Sequence, residues 1–169
     1  GNISAIIYPS WNKTVLKEDV IANFTKWFSK EIKLRHPQIV VSIDVFGDVL
    51  LKDWDAGLGQ RLKKLAPHVD VLAPMVYPSH YAPMSFGFKN PAEHPYEIIY
   101  QSLIRGRALL VDSPNTIMRP GLQDFNLGAT YTPAMIRAQM TATTDAGFNG
   151  GWMLWNAKNI YTNGALKAK

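Results

Sequence analysis

The sequence predicts an α/β domain of about five parallel strands alternating with helices, and three observations predict it. Five short apolar runs, residues 3–8, 39–46, 69–77, 117–125 and 151–155, have strand length and are mostly rich in Val, Ile or aromatics. Most are near-continuously apolar, the pattern of strands buried on both faces by covering helices. Segments with helical periodicity separate the runs, and such alternation argues for parallel strands joined by right-handed crossovers.

The first helix is expected over residues 17–35, where Val20, Ile21, Phe24, Trp27, Phe28, Ile32 and Leu34 fall close to one face. His36-Pro37 ends it, because the residue before proline avoids helical geometry. Residues 56–65 repeat the pattern with Leu58, Leu62 and Leu65. Residues 95–110 open on Pro95 and carry Ile98, Ile99, Leu103 and Ile104 inside. Thr132-Pro133 starts the last helix, with Thr as cap and Pro in the first turn, and Ala146-Gly147 stops it. Two architectures fit this order: an open doubly wound sheet, or part of a closed barrel. The first strand leads into Tyr8-Pro9-Ser10-Trp11, with no Gly-rich phosphate loop, which weakens a dinucleotide-binding reading. Tyr-Pro-Ser recurs at Tyr77-Pro78-Ser79, as an equivalent strand exit.

Composition bounds the function. The 169 residues fit one domain, residues 1–169, and 47% hydrophobic with 18% charged content is ordinary for a globular chain. The net charge of +5 comes from Lys and Arg spread along the sequence. Their densest cluster, Arg61, Lys63 and Lys64, reads as a solvated helix face, so no nucleic-acid partner is expected. The absence of Cys excludes disulfides, thiolate metal sites and cysteine nucleophiles. The His residues lack metal-ligand spacing, so neither a metal nor another cofactor is expected. No apolar run reaches the roughly 18 residues of a membrane span.

In a β/α barrel the chemistry gathers at strand C-terminal ends. Of the 13 carboxylates, only Asp44 and Asp124 sit in the C-terminal half of an expected strand. Tyr8, Tyr77, His80, Tyr81, Gln123, Trp155 and Asn156 occupy comparable places. A carboxylate pair across a cleft is the minimum for glycoside hydrolysis: one protonates the leaving oxygen, the other attacks or activates water. The competing role for each Asp is structural, bonded to loop amides, since a buried charge needs a partner or a function. Tyr77 and Trp155 are sugar-contact or core residues on the same grounds. His80 and Tyr81 open a long aperiodic segment, residues 82–94, of a length more often functional than not.

Four stretches carry a resemblance: VSIDVFG at 41–47, the stretch 69–103 containing PMVYPSHY, RPGLQDF at 119–125, and GGWMLWNA at 150–157. They resemble a bacterial glycosyl hydrolase-type domain family of unassigned function. The resemblance implies the C-terminal part of a TIM-type (β/α) barrel and an extracellular or cell-envelope protein acting on a polysaccharide or oligosaccharide. It points to Asp44 and Asp124 as the carboxylates. Tyr77, His80, Tyr81, Gln123, Trp155 and Asn156 would hold the sugar. The chain departs from the family at two places. Where the family reads F-D-Y-x-R-F-P, this chain has Ser4 for the Asp and Ile7 for the Arg, and Gly121 stands for a Trp. The retained Asp44 and Asp124 favour a hydrolase. The replaced Ser4 and Ile7 favour a non-catalytic carbohydrate-binding or assembly module. About five strands cannot close a barrel of about eight. Three readings of the open edges follow: a fragment of a longer polypeptide, pairing with another chain including a second copy of this one, or an open, degenerate domain.

Overall fold

The computed structural model describes residues 14–166. The strands are β1 (Ser42–Phe46), β2 (Val71–Met75), β3 (Ile117–Met118), β4 (Gly121–Gln123) and β5 (Met153–Trp155). All pairings are parallel, in the order β1-β2-β4-β5, with β3 also on β2. The expected run 117–125 is thus one strand broken in two. Pro120 has no N–H to give the ladder, and the break falls there. Its carbonyl still accepts from Met153 N at 2.9 Å. The expected strand at residues 3–8, with Tyr8 at its end, lies outside the described residues.

The helices are α1 (Lys17–Arg35), α2 (Leu62–Leu65), α3 (Pro95–Leu109) and α4 (Pro133–Asp145). Three follow the sequence expectation closely. The Thr132 side chain accepts from Met135 N at 3.3 Å, and Gly147 turns left-handed at φ 77° to stop α4. The helix expected over 56–65 shrinks to α2 and a following 3-10 turn, Ala66–His68. Its first half is a turn instead. Ala56, Gly57 and Gly59 all have positive φ, and the Asp55 carboxylate accepts from Gly57 N at 2.9 Å and Gly59 N at 3.1 Å.

Val45, Leu72, Val76, Ile99, Leu103, Met118, Leu122 and Ala142 form the core between the sheet and its helices. Helix α1 joins it through Ala22 and Ile32 rather than through its aromatic residues. Its buried residues are Glu18, Ala22, Thr25 and Ser29, while Phe24, Trp27 and Phe28 are 57%, 57% and 42% exposed. Phe24 lies 5.9 Å from Trp27 and 5.8 Å from Phe28 between ring centroids, so the three rings form one exposed aromatic group. The reason is position: among the described residues α1 packs chiefly against α2 and the 3-10 turn Ala66–His68, at the side of the sheet. Charge holds that side. Glu18 pairs with Arg61 at 3.0 Å and Lys64 at 2.6 Å, and Asp53 pairs with Arg61 at 2.7 Å. Most of the expected basic cluster is therefore neutralised locally.

These contacts also give the direction of α1. Its C-terminal end is tied to the strand starts, where Lys33 Nζ meets Asp70 at 2.5 Å and Asp70 accepts from Val41 N at 2.8 Å. Its N-terminal end meets the loop after β1, where Lys17 Nζ donates to Gly57 O at 2.9 Å. Helix α1 thus runs antiparallel to β1, as a βα crossover requires.

Candidate functional site

Strand alternation separates the two sheet faces. On β1, Val45 is buried in the core toward the helices, while Ser42, Asp44 and Phe46 are exposed on the opposite face. The register places Phe46, Met75, Gly121 and Met153 side by side across four strands on that face. In a closed barrel such layers are packed shut. Here Phe46, Met153 and Trp155 are 48%, 40% and 50% exposed, so the face is open.

At the strand C-terminal ends lies a cleft of about 310 Å³ lined by Phe46, Gly47, Asp48, Met75, Tyr77, His80 and Tyr81. Gly47 permits its narrow waist. A Cβ there would sit 2.7 Å from Met75 O and 3.0 Å from the Tyr81 hydroxyl, closer than atoms can approach. Tyr77 is fixed edge-on between His80 (5.2 Å between ring centroids) and Phe125 (5.5 Å). Burial, and secondarily the negative charge of Asp44, push its phenol up to about 12. Tyr77 therefore stays a neutral donor at neutral pH, within electrostatic reach of Asp44. Tyr81 is buried beside it, and burial raises its phenol further; the Ser102 hydroxyl acts in the opposite sense, and Asp48 adds to the rise.

The expected site residues thus divide. Tyr77, His80 and Tyr81 share the cleft, and Asp44 lies on the open face near Tyr77. Asp124 is elsewhere. It is 1% exposed, and its two carboxylate oxygens accept from Thr162 N at 2.9 Å and the Thr162 hydroxyl at 2.5 Å. Its carbonyl accepts from Asn156 Nδ2, and Asn156 Oδ1 accepts from Lys158 N at 2.9 Å. Gln123 is fully buried, and its side-chain amide is bonded through both its oxygen and its nitrogen. Its Oε1 accepts from Ser79 N at 3.1 Å, its Nε2 donates to Phe125 O at 2.9 Å, and its backbone is bracketed by the Gln139 amide. Gln123, Asp124 and Asn156 therefore brace the strand ends and hold the loop after β2 against them. Trp155, in register with Gln123, is half exposed beside this brace.

The residue that sequence reasoning missed is Asp48. It falls in the 3-10 turn Gly47–Leu50, just past the strand, so a rule confined to strand residues passes over it. The signal was present in the preceding Phe46-Gly47, which marks a strand exit. Among the described residues, no group of three or more His, Asp or Glu side chains is placed to hold a metal ion, and no helix is long and apolar enough to cross a membrane.

A parallel sheet backed by crossover helices, with a cleft at its strand C-terminal ends, defines an α/β domain consistent with a partial (β/α) barrel. The chain belongs to the family described as "Putative glycosyl hydrolase domain", which matches residues 1–161. Its structure is similar to the PgaB (BpsB) glycoside hydrolase domain from Bordetella bronchiseptica, with a TM-score of 0.61 at 16% identity. That likeness, which shows the fold, covers 83% of this chain and 37% of that one. No curated protein matches the sequence.

Proposed function

We propose that the chain is a carbohydrate-active domain that receives a polysaccharide or oligosaccharide in the cleft and hydrolyses a glycosidic bond there. The observation that supports this most is the gathering of Asp48, Tyr77 and His80 in one open cleft, with Asp44 near Tyr77. Aromatic faces suit sugar rings, and carboxylates supply the acid and the nucleophile or base of glycoside chemistry. Asp44 and Asp48 are the carboxylates on the open side, so they replace the Asp44 and Asp124 pair in this reading. Tyr77 donates a hydrogen bond to the sugar or to Asp44, His80 and Trp155 contact the sugar, and Tyr81 and Gln123 fix the cleft walls. A polysaccharide substrate agrees with an extracellular or envelope location, which fractionation of the source cells would check.

A second reading has its own support. Asp124 is locked to Thr162, and Ser4 stands where the family carries an acid, so the domain binds sugar without cleaving it. Binding and turnover on a panel of polysaccharides, with Asp44→Asn and Asp48→Asn alongside, separate the two. Hydrolysis expects turnover that falls at least a hundredfold in either variant while binding persists. Binding with no turnover in the parent leaves the module reading. No binding to any member of the panel removes both.

A further inference from the structure

We propose that Trp54 is a sugar-stacking platform that extends the cleft, so that the substrate is a polysaccharide chain laid across the strand ends. This rests on the cleft being a sugar site and names its substrate class. The first support is size. At about 310 Å³ the cleft sits at the lower end of small-molecule sites, roughly 300–1,000 Å³. A polymer therefore runs past it, and the surface it meets decides whether it is held. The second support is the place of Trp54. Its indole Nε1 donates to the carbonyl of Asp48 at 2.9 Å, and Asp48 lines the cleft. The ring thus borders the cleft, on the loop after β1.

The third support is that this ring is both presented and held. Trp54 is 36% exposed, which leaves ring surface for a ligand. The Lys52 ammonium rests 4.1 Å from the ring centroid, so a polar group already reaches one face. An aromatic face suits a sugar ring, and an exposed cation–π contact is weak enough to yield to one. The backbone beneath the ring is fixed. Trp54 N donates to Lys52 O at 2.9 Å, and the Asp53 carboxylate takes two hydrogen bonds from Arg61, at 2.7 and 3.0 Å. A platform held in place before binding loses little freedom when a ligand stacks on it. The fourth support is alignment. In the sheet order β1-β2-β4-β5, Phe46 ends β1, Tyr77 and His80 follow β2, and half-exposed Trp155 ends β5. Trp54 adds a ring at the β1 end of that line, so aromatic groups run across the strand ends as a linear polymer needs.

The probes are cellobiose and cellohexaose, xylobiose and xylohexaose, and the dimer and hexamer of N-acetylglucosamine, with binding read by titration calorimetry. For a sugar that the parent binds, the hexamer should bind at least tenfold tighter than the dimer. Trp54→Ala should lose at least tenfold of the hexamer affinity and less than twofold of the dimer's. Trp54→Phe, which keeps a ring but not the Nε1–H, should keep at least a third of the parent's hexamer affinity. The proposal falls, with the cleft's sugar site left standing, if the hexamer binds the parent no tighter than the dimer, or if Trp54→Ala weakens neither or both alike. It falls too if Trp54→Phe is as weak as Trp54→Ala, which assigns the indole to bracing Asp48. A parent that binds none of the probes overturns the sugar site and the platform together. A measurement on the unsubstituted protein covers a variant that fails to fold. Bound hexamer should slow oxidation of Trp54 by N-bromosuccinimide at least tenfold, read by peptide mass, while Trp27, 57% exposed on α1, reacts as in the free protein. Equal rates at Trp54 with and without the bound hexamer would overturn the proposal.

Discussion

Asp124→Ala separates a bracing carboxylate from a chemical one. The parent side chain is 1% exposed and accepts two hydrogen bonds from Thr162, at 2.9 and 2.5 Å. Hydrogen bonds to a charged group contribute about 1.5–3 kcal/mol each. Truncation removes both and leaves the Thr162 N–H and hydroxyl without that partner. Thr162 is only half-buried, so water recovers part of the loss. The expected cost is about 2–4 kcal/mol. For a domain of this size each kcal/mol lowers Tm by roughly 2–4 °C, so the drop should be roughly 5–15 °C. The loss should start in the C-terminal segment, because Thr162 precedes Ala165, which packs with Tyr131 and Ile136 in a small separate cluster. Urea unfolding measures the total, and amide exchange over residues 160–166 locates it. Asp124→Asn keeps one acceptor and should lose about half as much. An Asp124→Ala protein with the parent's unfolding midpoint, but with sugar turnover abolished, would refute the bracing role and return Asp124 to the chemistry.

Gly47→Ala places a Cβ 2.7 Å from the Met75 carbonyl, a backbone atom that cannot swing away. It should cost about 1–3 kcal/mol in urea unfolding, as overpacking does, and shift any sugar affinity with it. Phe24→Ser with Trp27→Ser removes two rings that are each 57% exposed, so the urea midpoint should move by no more than about 0.5–1 kcal/mol, against about 3–5 kcal/mol for deleting a buried aromatic. Asp70 is held below the usual carboxylate range by its bond to Lys33 and then by the Val41 N–H. The unfolded chain therefore binds the proton more readily. That contribution is complete above the unfolded value of about 3.9 and is lost as pH falls through the lower folded value. Lys33→Met should flatten the acid limb of stability, measured as urea midpoints between neutral pH and about pH 3.

Periodicity and punctuation in the sequence determined the alternating strands and helices, because they are local properties. The ends of α1 and α4 follow from His36-Pro37 and from Thr132 and Gly147. The placing of Tyr77, His80 and Tyr81 at a strand exit was also legible, since it follows from chain order alone. Three things were decided only by tertiary structure. Asp44 and Asp124 look alike in sequence, yet Asp44 faces the open sheet and Asp124 is bound by Thr162, 38 residues away. Asp48 enters the cleft because Gly47 lets the chain turn against Met75 and Tyr81. The apolar face of α1 shows which residues favour burial. It cannot show what covers them, because amphipathicity records one helix's preference, whereas burial depends on which other elements reach that face. The cleft's composition and its open side both come from that difference: local spacing sets the elements, and distant packing sets each side chain's partners.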